Sequence, residues 1–221
     1  EVHDEVRGAT VLGRGGAGFP AGVKWGLMPA GKYPRYLVVN GDESEPGTYK
    51  DRLLMERDPH QLVEGCLIAA YAAGLSQVFL YIRGEMPLAH ERVAVALNDA
   101  YAAGYVGKNI LGTNFSVDIV LHWGAGAYVV GEETALIESL EGKRGEPRLK
   151  PPFFPAAIGL YGQPTIVNNV ETLSNLPWLL VNGAQAFTAI GTATSPGTRM
   201  VAVSGHVVRP GVYEVVNGTT T

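Results

Sequence analysis

Cysteine is nearly missing from this chain: Cys66 is the one thiol in 221 residues. A single thiol excludes an internal disulfide framework. It also excludes an iron–sulfur cluster held by this chain alone, which takes several thiolates. Cys66 falls in an apolar helical pattern and reads as a packing residue, compatible with a reducing compartment. Charge is sparse too, at 17% of residues, with 17 Lys and Arg against 21 Asp and Glu and a net charge of -4. That mild acidity argues against a nucleic-acid surface, which needs clustered Lys and Arg to neutralise phosphates. No apolar run reaches the roughly 18 residues of a membrane span, and no secretory signal is present. His60, His90, His122 and His206 are scattered without metal-ligand spacing, so no bound metal is expected.

What is plentiful is apolar side chain, at 46%, and glycine, at 29 residues. This is the balance of a globular chain able to fill a core, with one sizeable domain and a smaller second piece. The start at Glu1 in helix-like sequence, and the end at Thr219-Thr220-Thr221 just after a hairpin, give the expectation of a fragment.

Strand and helix signals alternate. Tyr36 to Asn40 is a short β-branched run and reads as a buried strand, as do Gln77 to Ile82 and Val117 to His122. Asp58, Pro59 and Gln61 predict a capped helix with a capping box, carried by Leu62, Val63, Cys66, Leu67 and Ala70 and stopped by Gly74. Pro87 to Ala103 predicts a second helix. Glu132, Glu133 and Thr134 open a shorter one that ends near Gly142. A proline-rich connection runs from Pro147 to Pro164, and Asn168-Asn169 open a helix through about Val181. From Thr198 the pattern turns to β, with a Pro210-Gly211 turn between two strands. Strands alternating with helices predict an α/β layer with parallel pairing, and a domain boundary falls near residue 195.

Three groups of residues point to a ligand. Gly13-Arg14-Gly15-Gly16-Ala17-Gly18 matches G-x-G-x-x-G, but the segment before it looks helical and no acid follows near Tyr33 to Arg35. A standard dinucleotide-binding turn is therefore rejected, and the absence of Gly-Lys-Ser/Thr rejects a Walker loop. The glycines still let a backbone approach a ligand and offer N–H groups to an anion, with Lys24 nearby as a point charge for a phosphate. Asp42, Glu43 and Glu45 follow directly on a strand, where α/β folds place ligand-binding groups. They suit sugar hydroxyls or a metal, and spacing alone does not decide. Asn168 and Asn169 open a helix; one of them suffices as a cap, leaving the other for a ligand.

Four stretches together carry a resemblance: Gly13 to Pro20 with Lys24-Trp25, Asn40 to Gly47, Gly124-Ala125-Gly126-Ala127-Tyr128 with Gly131-Glu132-Glu133-Thr134, and Asn168-Asn169-Val170-Glu171-Thr172. In this order they resemble the 51 kDa-type flavoprotein subunit of bacterial respiratory complex I, and the resemblance covers the whole chain. It implies a Rossmann-like FMN-binding α/β domain over 1–195. Residues 196–221 would begin a small ubiquitin-like domain of the β-grasp, soluble-ligand-binding type. The C-terminal iron–sulfur domain, with its 4Fe-4S cluster, would be absent.

The resemblance also implies roles. Gly13, Arg14, Gly15, Lys24, Asn40, Asp42, Glu43, Tyr128, Gly131, Glu132, Glu133, Val167, Asn168 and Asn169 match contacts to FMN. Gly16, Phe19, Glu45, Lys150 and Phe153 match contacts to NADH, with Phe19 and Phe153 stacking on adenine. No residue is catalytic in the narrow sense, because the flavin performs the hydride transfer. Leu27 stands where the family often has Phe, which weakens adenine stacking. Phe154 is an extra residue that can exchange roles with Phe153. The implied partners are a thioredoxin-like 2Fe-2S subunit and a large iron–sulfur subunit, in the peripheral arm of a membrane-associated complex on the cytoplasmic side, with no direct membrane insertion. The alternatives are the diaphorase subunit of an NAD-reducing hydrogenase or NAD-dependent formate dehydrogenase, and a scaffold that has lost its flavin.

Overall fold

A computed structural model describes residues 1–220; Thr221, the last residue of the expected β unit, lies outside the described residues. In chain order the elements are α1 (Val2–Gly8), α2 (Ala21–Gly26), β1 (Tyr36–Gly41), α3 (Lys50–Arg57), α4 (Pro59–Ala73), β2 (Gln77–Ile82), α5 (Pro87–Ala102), β3 (Asp118–Trp123) and α6 (Glu133–Leu140). They continue with β4 (Thr165–Asn169), α7 (Val170–Ser174), α8 (Leu176–Asn182), α9 (Ala184–Thr188), the short β5 (Gly191–Thr192) and β6 (Ser195–Pro196), and the hairpin β7 (Thr198–Val203) and β8 (Gly211–Val216).

The central sheet has the order β3-β2-β1-β4, and every pair is parallel. Successive side chains of a strand face opposite sides, and β1 shows the consequence. Leu37 and Val39 join the larger core beneath α4, α5 and α7, while Val38 joins a smaller one with Leu136, Ile137 and Val167 beneath α6. A parallel sheet covered on both faces needs such continuous apolar runs. The fold is mixed α/β and Rossmann-like, as expected.

Helix α4 keeps its expected start and stop. The Asp58 carboxylate accepts the Gln61 amide, Pro59 occupies the first turn, and Gly74 closes the helix at φ +61°. The reciprocal half of the capping box does not form, because the Gln61 side chain donates to the Ser174 carbonyl and ties α4 to α7. That contact is close along its length: a Cβ on Gly65 would overlap the Leu173 carbonyl.

Lys50–Arg57, left unassigned from the sequence, is a helix, held at its first turn by the Glu43 carboxylate and along its side by the Arg52–Glu56 pair. Two expectations are corrected. Thr165 to Asn169 is a strand, so Asn168 lies in the sheet and only Asn169 caps a helix. The single helix expected through Val181 is two, α7 and α8, because Pro177 in the first turn of α8 has no N–H to continue the ladder.

Candidate functional site

The strand order turns back on itself between β1 and β4. Asn40, next to last in β1, and Asn169, last in β4, lie side by side in register. In open parallel sheets this switch point leaves a crevice at the carboxyl ends of the strands, and here a cleft of about 690 Å³ opens there. One wall is the loop after β1, with Asp42, Glu43, Ser44, Glu45 and Thr48. The opposite wall is the loop after β3, with Tyr128, Val129, Gly131 and Glu132. The floor comes from Arg14, Gly15, Gly16, Lys50, Asp51 and Asn169. The Tyr128 hydroxyl donates to Glu45 across the mouth.

The glycine loop is not a strand-to-helix turn. Leu12 and Pro20 pair in an isolated bridge, and the Gly13 amide donates to Phe19 O at 3.0 Å, so the loop is a closed cradle. Gly16 at φ +116° and Gly18 at φ +68° supply conformations that a side chain would strain. The cradle carries Arg14, 5% exposed, whose amide donates to the Thr172 hydroxyl at 2.8 Å and whose Nη2 donates to the Pro196 carbonyl at 3.1 Å. Its Nε and Nη1 are buried without a partner. Unsatisfied buried guanidinium donors are costly and call for an anion or a polar ligand.

A buried charge network runs through the floor. Lys50 Nζ stands 2.8 Å from both Asp51 Oδ1 and Glu171 Oε2. Asp51 Oδ2 accepts Asn169 Nδ2 at 2.6 Å, which fixes the amide facing the cleft. Glu171 Oε1 accepts the Met200 amide at 2.8 Å, which fastens the β7–β8 hairpin to the site.

The cleft carboxylates divide by environment. Burial holds Asp42 above its ordinary value, opposed by the Ser44 hydroxyl. Glu43 is raised by burial and by Asp51 beside it, although its oxygens accept the Asp51 and Arg52 amides at 3.0 Å. Glu132 goes the other way. Burial alone would raise it, but the Lys150 ammonium, the Thr134 hydroxyl and the Ala135 amide together hold it below the usual range. The lining contains no histidine or cysteine, so the cleft offers hydrogen-bonding and electrostatic recognition, with the reactive chemistry left to what it binds.

A model described as the Nuo51 FMN-binding domain matches residues 6–178. The chain belongs to the Nuo51 FMN-binding family. It is 51% identical over 220 residues to an NADH-quinone oxidoreductase subunit of Aquifex aeolicus, covering 100% of this chain and 51% of the relative. It is 52% identical over 220 residues to an NADH-quinone oxidoreductase subunit of Rhizobium meliloti, covering 99% and 52%. Among solved structures, a chain of an NAD+-reducing [NiFe]-hydrogenase in the H2-reduced state superposes with a TM-score of 0.89 at 43% identity, over 99% of this chain and 37% of that one. The chain thus spans about half the length of the curated relatives it matches.

Within this Nuo51 domain the expected site residues fall into two groups. Arg14, Gly15, Gly16, Asn40, Asp42 and Glu43 line the cleft, as do Glu45, Tyr128, Gly131, Glu132 and Asn169. Gly13, Lys24, Val167, Asn168, Glu133, Phe19, Lys150 and Phe153 do not. Lys24 is not an open point charge, because its ammonium sits between the Val167 carbonyl at 3.1 Å and Glu133 at 3.3 Å. Asn168 turns inward and accepts Trp25 Nε1 at 2.9 Å. Lys150 stands one contact behind the wall, 2.8 Å from Glu132 and from Glu133. Phe19, Leu27, Phe153 and Phe154 are exposed. Lys50 and Asp51 were missed by sequence reasoning. Their signal was the 3.6-residue spacing of Asp51 and Met55, both buried on one face of α3.

Proposed function

We propose that this chain binds FMN and NADH in the cleft, as the electron-entry part of a complex I-type NADH-quinone oxidoreductase. The observation that carries the reading is Arg14, a buried residue of the cleft lining with two guanidinium nitrogens left without a partner, in a family of FMN-binding domains. FMN, when bound, supplies hydride acceptance from the nicotinamide. The chain's own residues do the holding. Arg14 and the open amides of the glycine cradle suit a phosphate, while Asp42, Glu43, Asn40 and Asn169 suit ribityl hydroxyls and ring edges. Exposed rings, Phe19 and Phe153, suit an adenine that lies outside the cleft proper.

The larger protein's setting is part of this proposal. Residues 196–221 would open a β-grasp unit, and the electron acceptors would be iron–sulfur subunits of a peripheral arm on the cytoplasmic side. No described helix is long and apolar enough to cross a membrane. The diaphorase reading is favoured by the fold match to the hydrogenase chain; the higher identity to the quinone oxidoreductase relatives favours complex I. The deciding experiment is the absorption spectrum of the purified, FMN-loaded protein with and without NADH. A flavin band that bleaches on NADH addition is expected, with FMN rather than FAD on acid release. A protein that takes up no flavin sinks the reading.

Glu45 has a specificity role under this reading. A 2′-phosphate would add roughly two negative charges beside the acidic loop, where the exposed Glu45 carboxylate would repel it. Glu45→Gln keeps size and hydrogen bonding to Tyr128 while removing the charge. It should raise kcat/KM for NADPH by about tenfold with a smaller effect on NADH. Steady-state kinetics with ferricyanide as acceptor checks this; an unchanged preference between the two nucleotides removes Glu45 from the account.

A further inference from the structure

The connection between α6 and β4 closes on one side chain. Arg148 is largely buried, and every part of it is tied down. Its amide donates to the Thr134 hydroxyl at 2.8 Å. Its Nε donates to Glu138, its Nη2 pairs with Glu141 at 2.9 Å, and its Nη1 donates to the Gly159 carbonyl at 2.9 Å. Glu141 also accepts the Tyr161 amide at 2.7 Å. Residues 149–158 therefore form a loop whose two ends are joined by the guanidinium and anchored to α6. That loop carries Lys150, whose ammonium reaches Glu132 on the cleft wall, and the exposed Phe153 and Phe154.

We propose that Arg148 is a positioning residue for the dinucleotide: it holds Lys150 and the Phe153 ring in place beside the cleft. The proposal rests on the reading that the cleft takes NADH. An Arg fork meets three acceptors in fixed directions, which a Lys ammonium on a flexible stem does not reproduce. Closing the loop in advance removes an ordering cost that binding would otherwise meet. The two carboxylates have a second cation in Lys143, 2.7 Å from Glu141 and 3.5 Å from Glu138. Loss of Arg148 therefore frees the loop without leaving its acids wholly uncompensated. Lys150 touches Glu132 and Glu133, but Arg14, Asn40, Asp42 and Asn169 make no hydrogen bond to this loop, so nucleotide binding should suffer more than flavin binding.

The test uses FMN-loaded protein with Arg148→Gln and Arg148→Lys. Arg148→Gln should raise KM for NADH about tenfold, with kcat within about twofold and flavin content unchanged. Arg148→Lys should fall between it and the parent. Amide hydrogen exchange at residues 153–158, measured without nucleotide, should quicken in Arg148→Gln. An unchanged KM in Arg148→Gln with a lowered Tm reduces Arg148 to a brace and overturns the proposal, as does a parental KM in Arg148→Lys. Loss of flavin together with activity also overturns it. A parent protein that binds FMN but is not reduced by NADH overturns the cleft reading itself, and the role of Arg148 with it.

Discussion

A Lys50→Met protein should unfold with about 3–5 kcal/mol less free energy than the parent, because a buried ion network loses its cation. Lys50 is 12% exposed at the side chain and lies 2.8 Å from both Asp51 and Glu171, themselves 5% and 4% exposed. Removing it leaves two carboxylates facing each other in a poorly solvated floor. Burial alone would lower the Lys50 pKa, but the two acids outweigh it and raise the value above that of a free lysine. A cation with a raised folded pKa contributes stability that is fully present below its unfolded value and is lost as pH rises through the folded one. The effect should therefore be constant through neutral pH and shrink only in strong alkali. Urea unfolding at pH 7 measures it, with a lower midpoint at unchanged slope. Adding Glu171→Gln should recover part of the loss, since one stranded charge is then gone. A change below about 1 kcal/mol would show that water already solvates the network.

Arg14→Met should weaken FMN binding by roughly 10- to 100-fold, the worth of one or two charge-assisted hydrogen bonds at about 1.5–3 kcal/mol. The same change should leave the flavin-free protein as stable as the parent, or more so. Arg14 makes one side-chain hydrogen bond to the protein, to Pro196, while Nε and Nη1 are buried without partners. Burial lowers its pKa, against the attraction of Glu171. Arg14→Lys should not restore affinity, because an ammonium cannot present the same fork. Fluorescence titration of FMN reads the first effect, and thermal unfolding of the flavin-free protein reads the second. Equal FMN affinity in Arg14→Met would remove the guanidinium from the site. A large loss of stability without flavin would make it a structural residue.

Much of the frame was legible locally. Tyr36 to Asn40 and Gln77 to Ile82 form the expected strands, since β-branched runs bounded by breakers have few alternatives. Asp58 and Gly74 bound α4 by short-range hydrogen bonds that any reading of caps can find. The misses share a cause. Thr165-Ile166-Val167 is β-branched, yet its neighbours Asn168 and Asn169 carry an equally strong helix-start signal. Only pairing with β1 makes both asparagines strand residues. Lys50 to Arg57 is mostly charged, so its helix had a weak apolar stripe, and its start depends on Glu43 folding back onto it.

The amino-acid sequence by itself determined the chemistry available to the site: glycines that let a backbone come close, acids placed after a strand, two asparagines in tandem, and no thiol set for a cluster. Tertiary structure decided which of these meet. Lys24, nearest the glycines in sequence, is drawn to Val167 and Glu133, while Arg14 keeps two buried guanidinium nitrogens without a partner. Asn169 faces the cleft beside Asn40, whereas Asn168 is spent on Trp25. The difference is physical. A residue's type sets which bonds it can make, but which partner it finds depends on strands β1 and β4 pairing across more than a hundred residues of chain, and no local pattern encodes that contact.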